Sequence, residues 1–590
     1  MATEDASLAD FKQLLVTGSN HVAWSGDHLV RFLVDWYQRN EREHHSNQRP
    51  PSTGDRTPKL SAACPTECLL NSTAIIPKLI SEGKADIIID TLRAYGQLPY
   101  VDKEALVLCL AVASKQSDQK KLVTDAHSAV RELCTSTHLF FLFIQISKMI
   151  SKKSGHSGWG RGLRRAVNEW YLSWEPQRLA LEVTRHSGAH GWTHRDVIRL
   201  AHLKLKDMPL GTQVVLHYVF LGLEKTVKEY TGKDNTSELL ALMQILDKDG
   251  HPKDGENTWD IDQVISKVSK LQEVFGNLTL DDVPSQSLKS AEVWSHMLDK
   301  LEGESAVASV NRMSKANLLN TGTENNALSV KLGERLKHED ISGGCVTPTQ
   351  VLMALHAYEH PTRFVGESGV RRAGKSPRLA AKIQVRRSTK VNSQVTDALR
   401  LLIATSAKSI PKTSQKLAVC VDVRASMGTA HVHTGNPEGK GEVSCYEGAA
   451  VTLLSLSSGG TNPDVSALAF SGEGLVELQV PEGATISNML EKFKETVIGV
   501  VNVEAALKMA VEKKMETVVI LSIKFEPNTI ATITETLTKV NETNNTHIRL
   551  VLCGLAGKHM DAQRTENFLL ALGFDHRTPT IIRAFHERLF

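Results

Sequence analysis

"KLAVCVDVRASMGTA", residues 416–430, is an apolar run that stops at Asp422 and passes into a short polar loop. A short apolar run bounded by turn-forming residues reads as a buried strand. An aspartate at the end of such a strand, with serines two and four positions on, is one way to hold a divalent cation. Here the first of those positions is Arg424 and only the second keeps its hydroxyl, at Ser426. Further β-branched runs follow at "DVSALAF" (464–470), "TVVILSI" (517–523) and "HIRLVLCGL" (547–555). Between them lie helical patterns, among them "VNVEAALKMAVEKKM" (501–515) and "NTIATITETLTKVNE" (528–542). The alternation predicts a mostly parallel sheet flanked by helices. Ligands of such sheets bind at the carboxyl ends of strands, where Asp422 stands.

Working outward towards the N-terminus, the texture changes. Residues 360–390 are basic and punctuated by Gly and Pro, and read as a crossing segment between domains. From about 70 to 355 apolar residues recur at i, i+3, i+4 and i+7, as in "STAIIPKLISEGKADIIIDTLRAYG" (72–96). Helices of this length joined by short breaks imply antiparallel pairs, as in HEAT-like solenoids. Residues 41–66 are polar and proline-rich, a flexible connector. The chain therefore divides into an N-terminal extension and connector (1–66), a helical domain (67–390) and an α/β domain (391–590).

The composition, 41% hydrophobic and 23% charged in 590 residues, is that of a globular protein. No stretch approaches the roughly 18 apolar residues a membrane helix needs, and "MATEDASLAD" lacks the apolar centre of a secretory signal. The eight cysteines are scattered and several sit inside apolar runs, which favours a reducing compartment. None has zinc-ligand spacing. A soluble, intracellular chain is expected.

The densest chemistry lies at 152–206, with eleven Lys/Arg and five His against four Asp/Glu. On a helical projection Arg161, Arg164 and Arg165 share one sector, and Leu163, Val167, Trp170 and Trp174 lie opposite. Further on, Thr193 and Asp196 have the form of an N-cap and its acidic N3 partner. Beyond them Arg195, Arg199, His202 and Lys206 form a stripe, with Lys204 beside it. Val197, Leu200, Ala201 and Leu203 form the apolar side. "RHSGAHG" (185–191) reads as the joining loop. Two cationic stripes flanking a Gly/His loop suit phosphates and splayed bases. Against this stands the ordinary reading, in which charged faces are solvated and aromatic faces are core.

At "GWGRGLRRAVNEWY" and "GWTHRDVIRLAHLK" the sequence resembles the Ro ribonucleoprotein family, whose members carry the TROVE module. The likeness extends through "STHLFFLFIQISKMI" (136–150) and "TPTQVLMALHAY" (347–358), and the order of domains, ending in a von Willebrand factor A-like domain, fits as well. The resemblance implies an RNA-binding protein without enzymatic chemistry, whose HEAT-like helices close into a ring joined by the A-like domain. It implies Y-type RNA on an outer basic surface, and misfolded noncoding RNA ends in the central hole, as in RNA quality control. One family RNA-contacting lysine corresponds to Arg185 and a histidine to His202. A second basic family position falls at Ala189, with His186 and His190 nearby.

The resemblance also implies a Mg²⁺ site in the A-like domain, built from three loops of hard oxygen donors. Asp422 and Ser426 remain. Arg424 replaces the central serine, residues 497–516 contain no Ser or Thr, and Lys524 falls near the third loop's acid. Two unit charges about 4 Å apart repel by about 4 kcal/mol at an effective dielectric near 20, and a dication fares worse. The expectation is that Arg424 or Lys524 pairs with Asp422 in the metal's stead, the alternative being that both point to solvent. Cofactors are expected to be none, with Mg²⁺ only if this remnant still works. His431 and His433 lack a carboxylate or Cys partner for a metal. No phosphate-binding loop, nucleophile elbow or His-Glu-x-x-His is present. The expected function is therefore RNA binding in a small cytoplasmic ribonucleoprotein, with the nucleus as a second location, by a monomer. The partners are small noncoding RNA and proteins reached through the A-like domain. The alternative is a protein-interaction scaffold with reduced RNA binding.

Overall fold

The computed structural model describes residues 6–18, 23–25, 73–98, 101–155, 158–186, 188–233, 235–247, 261–276, 279–280, 283, 287–319, 327–342, 346–360, 362–364, 384–386, 391–433, 443–472, 474–557 and 567–590. The connector read at 41–66, Cys64, Cys68 and Cys345, and most of the crossing segment at 360–390 lie outside them. Within that segment the strands β4 (Thr362–Phe364) and β5 (Gln384–Arg386) pair antiparallel.

The chain forms two compact units that exchange their ends. The first comprises residues 1–20, 28–257 and 589–590, the second residues 21–27 and 258–588. The strand β1 (Ala23–Ser25) thus belongs to the second unit and the final two residues to the first.

In the first unit Lys103–Ala113 is apolar on every side, and Ala105 to Ala113 are all buried, as befits a central helix. Its N-cap Asp102 accepts the Ala105 N–H at 2.9 Å, satisfying a first-turn donor. It packs against Thr137–Lys153. In the neighbouring layer Ala85–Gly96 packs on Lys120–Leu133, and that helix on Arg161–Leu172. Each of these helices meets the next but one. Phe140 lies flat on Trp170 at 4.0 Å, and the Trp170 indole N–H donates to the Cys134 carbonyl at 2.7 Å. Residues 589 and 590 complete this unit. The Tyr95 hydroxyl donates to the Leu589 carbonyl, and Phe590 is buried.

The second unit begins with helices. Ser393–Lys408 packs on both Ala327–Lys337 and Pro348–Glu359. Arg335 is buried, and its guanidinium donates twice to Asp340 (2.7 and 2.8 Å) and once to the Leu301 carbonyl (2.6 Å). Pro348–Glu359 also packs on Cys445–Leu456.

The sheet of this unit is mostly parallel, as the alternation of the sequence predicts. Its strands are β6 (Leu417–Val421), β7 (Val465–Ser471), β8 (Gly474–Glu477), β9 (Thr517–Ser522), β10 (Arg549–Gly554), β11 (Phe568–Leu572) and β1. Their order is β1-β11-β10-β9-β6-β7-β8, all parallel except the antiparallel edge β8. One face buries Cys420, Phe470, Ile520, Leu552 and Leu570 under Val503–Glu512 and Pro527–Asn544. Cys445–Leu456 and Thr578–His586 cover the alternate side chains. The chain leaves β6 in one direction to β7 and β8, then returns to β9 on the other side of β6. That reversal makes the carboxyl ends of β6 and β9 the ligand crevice of a doubly wound sheet.

Candidate nucleic-acid interface

Helix Arg161–Leu172 turns Leu163, Ala166, Val167, Trp170 and Tyr171 inward. Arg161 and Arg165 are exposed, and Arg165 reaches Glu169 at 3.4 Å. Arg164 departs from the expected uniform outer row: it is half-buried, and its Nε is enclosed with no partner among the described residues. Trp174, expected on the apolar side, lies past the helix end and is half-buried. The helix sits close to Lys120–Leu133 because Gly162 faces His127 there. A Cβ at Gly162 would stand 2.9 Å from His127 Nδ1. Burial, with Lys115 nearby, pushes the His127 pKa down to about 4.

The joining segment is not a loop but a hairpin. β2 (Gly188–Ala189) pairs antiparallel with β3 (Trp192–Thr193). Its two turn residues, His190 and Gly191, both have positive φ (52° and 76°), as a two-residue hairpin with the right twist requires. The turn carries His190 inward. Its ring lies 4.4 Å from that of His138, and burial lowers its pKa to about 4. His190 is therefore a neutral buried ring and adds no positive charge beside Ala189. Trp192 is buried, its indole N–H donating to Gln145 Oε1 at 2.9 Å, with Lys148 Nζ 4.7 Å over the ring. That lysine was not legible in the sequence, where it follows the long apolar run of its helix.

Thr193 caps the next helix, His194–Ala201, accepting the Asp196 N–H at 3.2 Å and donating to Asp196 Oδ2 at 2.6 Å. His194 is buried beneath it, bonded to the Tyr171 hydroxyl (2.8 Å) and the Thr137 hydroxyl (3.3 Å), and burial pushes its pKa down to about 3. Arg195 and Arg199 project outward, Arg199 lying 3.9 Å from Asp196. The expected stripe is shorter than its spacing suggested, because the helix stops at Ala201. His202 closes it in the left-handed conformation (φ 55°), and Lys206 lies in a separate turn, Leu205–Asp207. Leu203 lies past the helix end and is half-buried, and Leu200 is exposed because the buried face runs through His194, Val197, Ile198 and Ala201. His202, Lys204 and Lys206 are exposed, and Arg185 and His186 half-buried.

The two helices pack on each other, so Arg161, Arg165, Arg195 and Arg199 crown one packed pair. Glu169 and Asp196 are partly exposed partners at 3.4 and 3.9 Å, too weakly held to cancel this charge.

At the crevice of the second unit, Asp422 is fully buried and Ser522 donates to it at 2.7 Å. Arg424 grips it with Nη2 (2.6 Å) and Nε (2.9 Å). Lys524 turns away, pairing with Glu526 at 2.7 Å. Ser426 is exposed at the start of a short helix, Ser426–Thr429. Among the described residues no cluster of three His, Cys, Asp or Glu side chains is placed to hold a metal. The loop where a Thr ligand was sought displays Val497, Ile498 and Val500, exposed to 69%, 56% and 75%. It is pinned by the Gly499 N–H donating to the Phe470 carbonyl at 3.1 Å.

Comparison with known proteins gives these observations a context. A TROVE domain family model matches residues 60–394, and a Ro60 vWA domain model matches residues 416–586. The "RNA-binding protein RO60" of Caenorhabditis elegans is 28% identical over 184 residues, which is 30% of this chain and 28% of that relative's length. The crystal structure of the Deinococcus radiodurans RO (RSR) protein shares the fold, with a TM-score of 0.65 at 17% identity over 99% of this chain and 100% of the other. Among the described residues no helix is long and apolar enough to cross a membrane.

Proposed function

Because the chain belongs to the Ro ribonucleoprotein family, we propose that it binds RNA through the cationic crown of Arg161–Leu172 and His194–Ala201. The observation carrying this reading is the outward set Arg161, Arg165, Arg195 and Arg199 on two packed helices, with Lys204 and Lys206 beyond. Guanidinium groups donate bidentately to phosphate, and an exposed His202 offers a ring for a splayed base. The ligand is a small noncoding RNA, Y-type RNA or the 3′ end of a misfolded transcript. The task is RNA quality control in the cytoplasm without catalysis. Arg185 and His202 contribute at the edge of the surface, and Ala189 supplies no cation there.

Crosslinking with sequencing of the bound RNA tests this, with an Arg185→Ala/His202→Ala variant alongside. Recovery above background that drops in the variant is expected, and no recovery from the wild type refutes RNA binding. The salt dependence gives a second readout. Log affinity should fall linearly with log salt, and Arg161→Ala/Arg199→Ala should flatten the slope by about 0.7 for each phosphate that the variant no longer neutralises.

A second reading rests on the pinned apolar loop. Val497, Ile498 and Val500 stand at the carboxyl edge of the sheet, and exposed apolar groups of this kind mark protein contacts. The A-like domain would then recruit a protein to the RNA-bound body. Val497→Ser/Val500→Ser should leave RNA affinity unchanged while reducing any co-purified partner.

A further inference from the structure

The crevice between β6 and β9 is where an A-like domain is expected to hold Mg²⁺, an ion that requires near-octahedral oxygen donors. The donors of this chain do not fit it. Both oxygens of the buried Asp422 are already engaged. Oδ1 accepts the Arg424 backbone N–H at 3.1 Å and Nε at 2.9 Å, and Oδ2 accepts Nη2 at 2.6 Å and the Ser522 hydroxyl at 2.7 Å. The hydroxyl expected at 424 is a guanidinium, the second loop presents valine and isoleucine, and Lys524 is occupied by Glu526.

We infer that the Arg424 guanidinium takes the place of a divalent cation, so that the crevice loops of this chain are held by an internal organic cation and need no metal. Charge favours it, since one guanidinium balances one carboxylate, whereas a dication on Asp422 alone leaves an excess positive charge beside Arg424. Shape favours it as well. The planar fork covers both carboxylate oxygens, which a lysine's single point of charge could not do. The rest of the loop is set by the chain itself. The Arg424 N–H bonding back to Asp422 closes a turn two residues long, of the kind aspartate favours. From the far side the Tyr446 hydroxyl donates to the Val423 carbonyl at 2.7 Å. The order that a metal confers elsewhere is here built into the fold.

The test uses the full chain and Mn²⁺ as the probe. For the wild type, the electron paramagnetic signal of free Mn²⁺ should be undiminished, and the melting temperature should be the same in EDTA and in Mn²⁺. Arg424→Met should lower the melting temperature by several degrees in EDTA, because it leaves a buried carboxylate without its cation. Asp422→Asn/Arg424→Met should melt above that single variant. Mn²⁺ binding by the wild type that disappears in Asp422→Ala would overturn the inference. So would an Arg424→Met protein that melts like the wild type. If Arg424→Met does not fold, the wild-type Mn²⁺ and EDTA measurements decide alone.

Discussion

Gly162 has no room for a side chain. Its Cβ would meet a ring that is itself buried, so His127 cannot swing aside without breaking the packing between two helices. Gly162→Ala should cost about 1–3 kcal/mol, typical of an overpacked site, read as a lower urea midpoint. The same region carries an acid sensitivity. His127, His190 and His194 titrate near 4, 4 and 3 in the fold, below the value near 6.5 of an unfolded histidine. A depressed histidine pKa means that the unfolded chain binds more protons below about pH 6.5, so stability falls as pH drops through that value towards 4. Each histidine contributes a slope of up to about 1.4 kcal/mol per pH unit. Unfolding free energy measured from about pH 7 to about pH 5 should fall, and His127→Leu should flatten the curve by close to one proton. At this scale Asp422 and Arg424 were legible, because their chemistry is local: a strand end and a two-residue spacing. The burial of His190 was not, since it depends on the sign of φ at one turn.

The hairpin β2–β3 sets the entry to the cationic helix and so governs where Arg195 and Arg199 point. Gly191 sits at a φ of 76°, which a β-branched residue resists. Gly191→Val should cost about 1–3 kcal/mol through backbone strain. It should also weaken RNA binding in an anisotropy titration, although it removes no charge. The His-Gly pair ahead of a tryptophan was the available signal for this hairpin, and the histidines around it read instead as a loop. Helical spacing likewise ran the basic stripe to Lys206, whereas a left-handed cap at His202 ends the helix a turn earlier. In the sheet, β6, β7, β9 and β10 announced themselves through β-branched runs. β11, "FLLAL", did not, because a leucine-rich run of that length fits a buried helix equally well.

At the scale of the molecule, the exchange of chain ends left no trace in the sequence, because pairing between residues hundreds of positions apart has no local periodicity. It carries a prediction nevertheless. A fragment of residues 258–590 lacks β1 and leaves the edge of β11 open, with Ala23, Trp24 and Ser25 no longer opposite Leu570, Ala571 and Leu572. An open parallel edge invites pairing with other copies. Light scattering should show this fragment self-associating at concentrations where the intact chain does not.

The seat of Leu589 beside Tyr95, 494 positions apart along the chain, also bears on how the protein is made. Translation delivers the helices of the first unit long before the residues that finish it. That unit must wait, with the place of Phe590 unfilled, while residues 258–588 are still being made. A nascent chain stalled anywhere before Leu589 would carry the first unit without the residues that complete it. Synthesis of Leu589 and Phe590, and not the emergence of the unit's own helices, is then the step that lets this unit close.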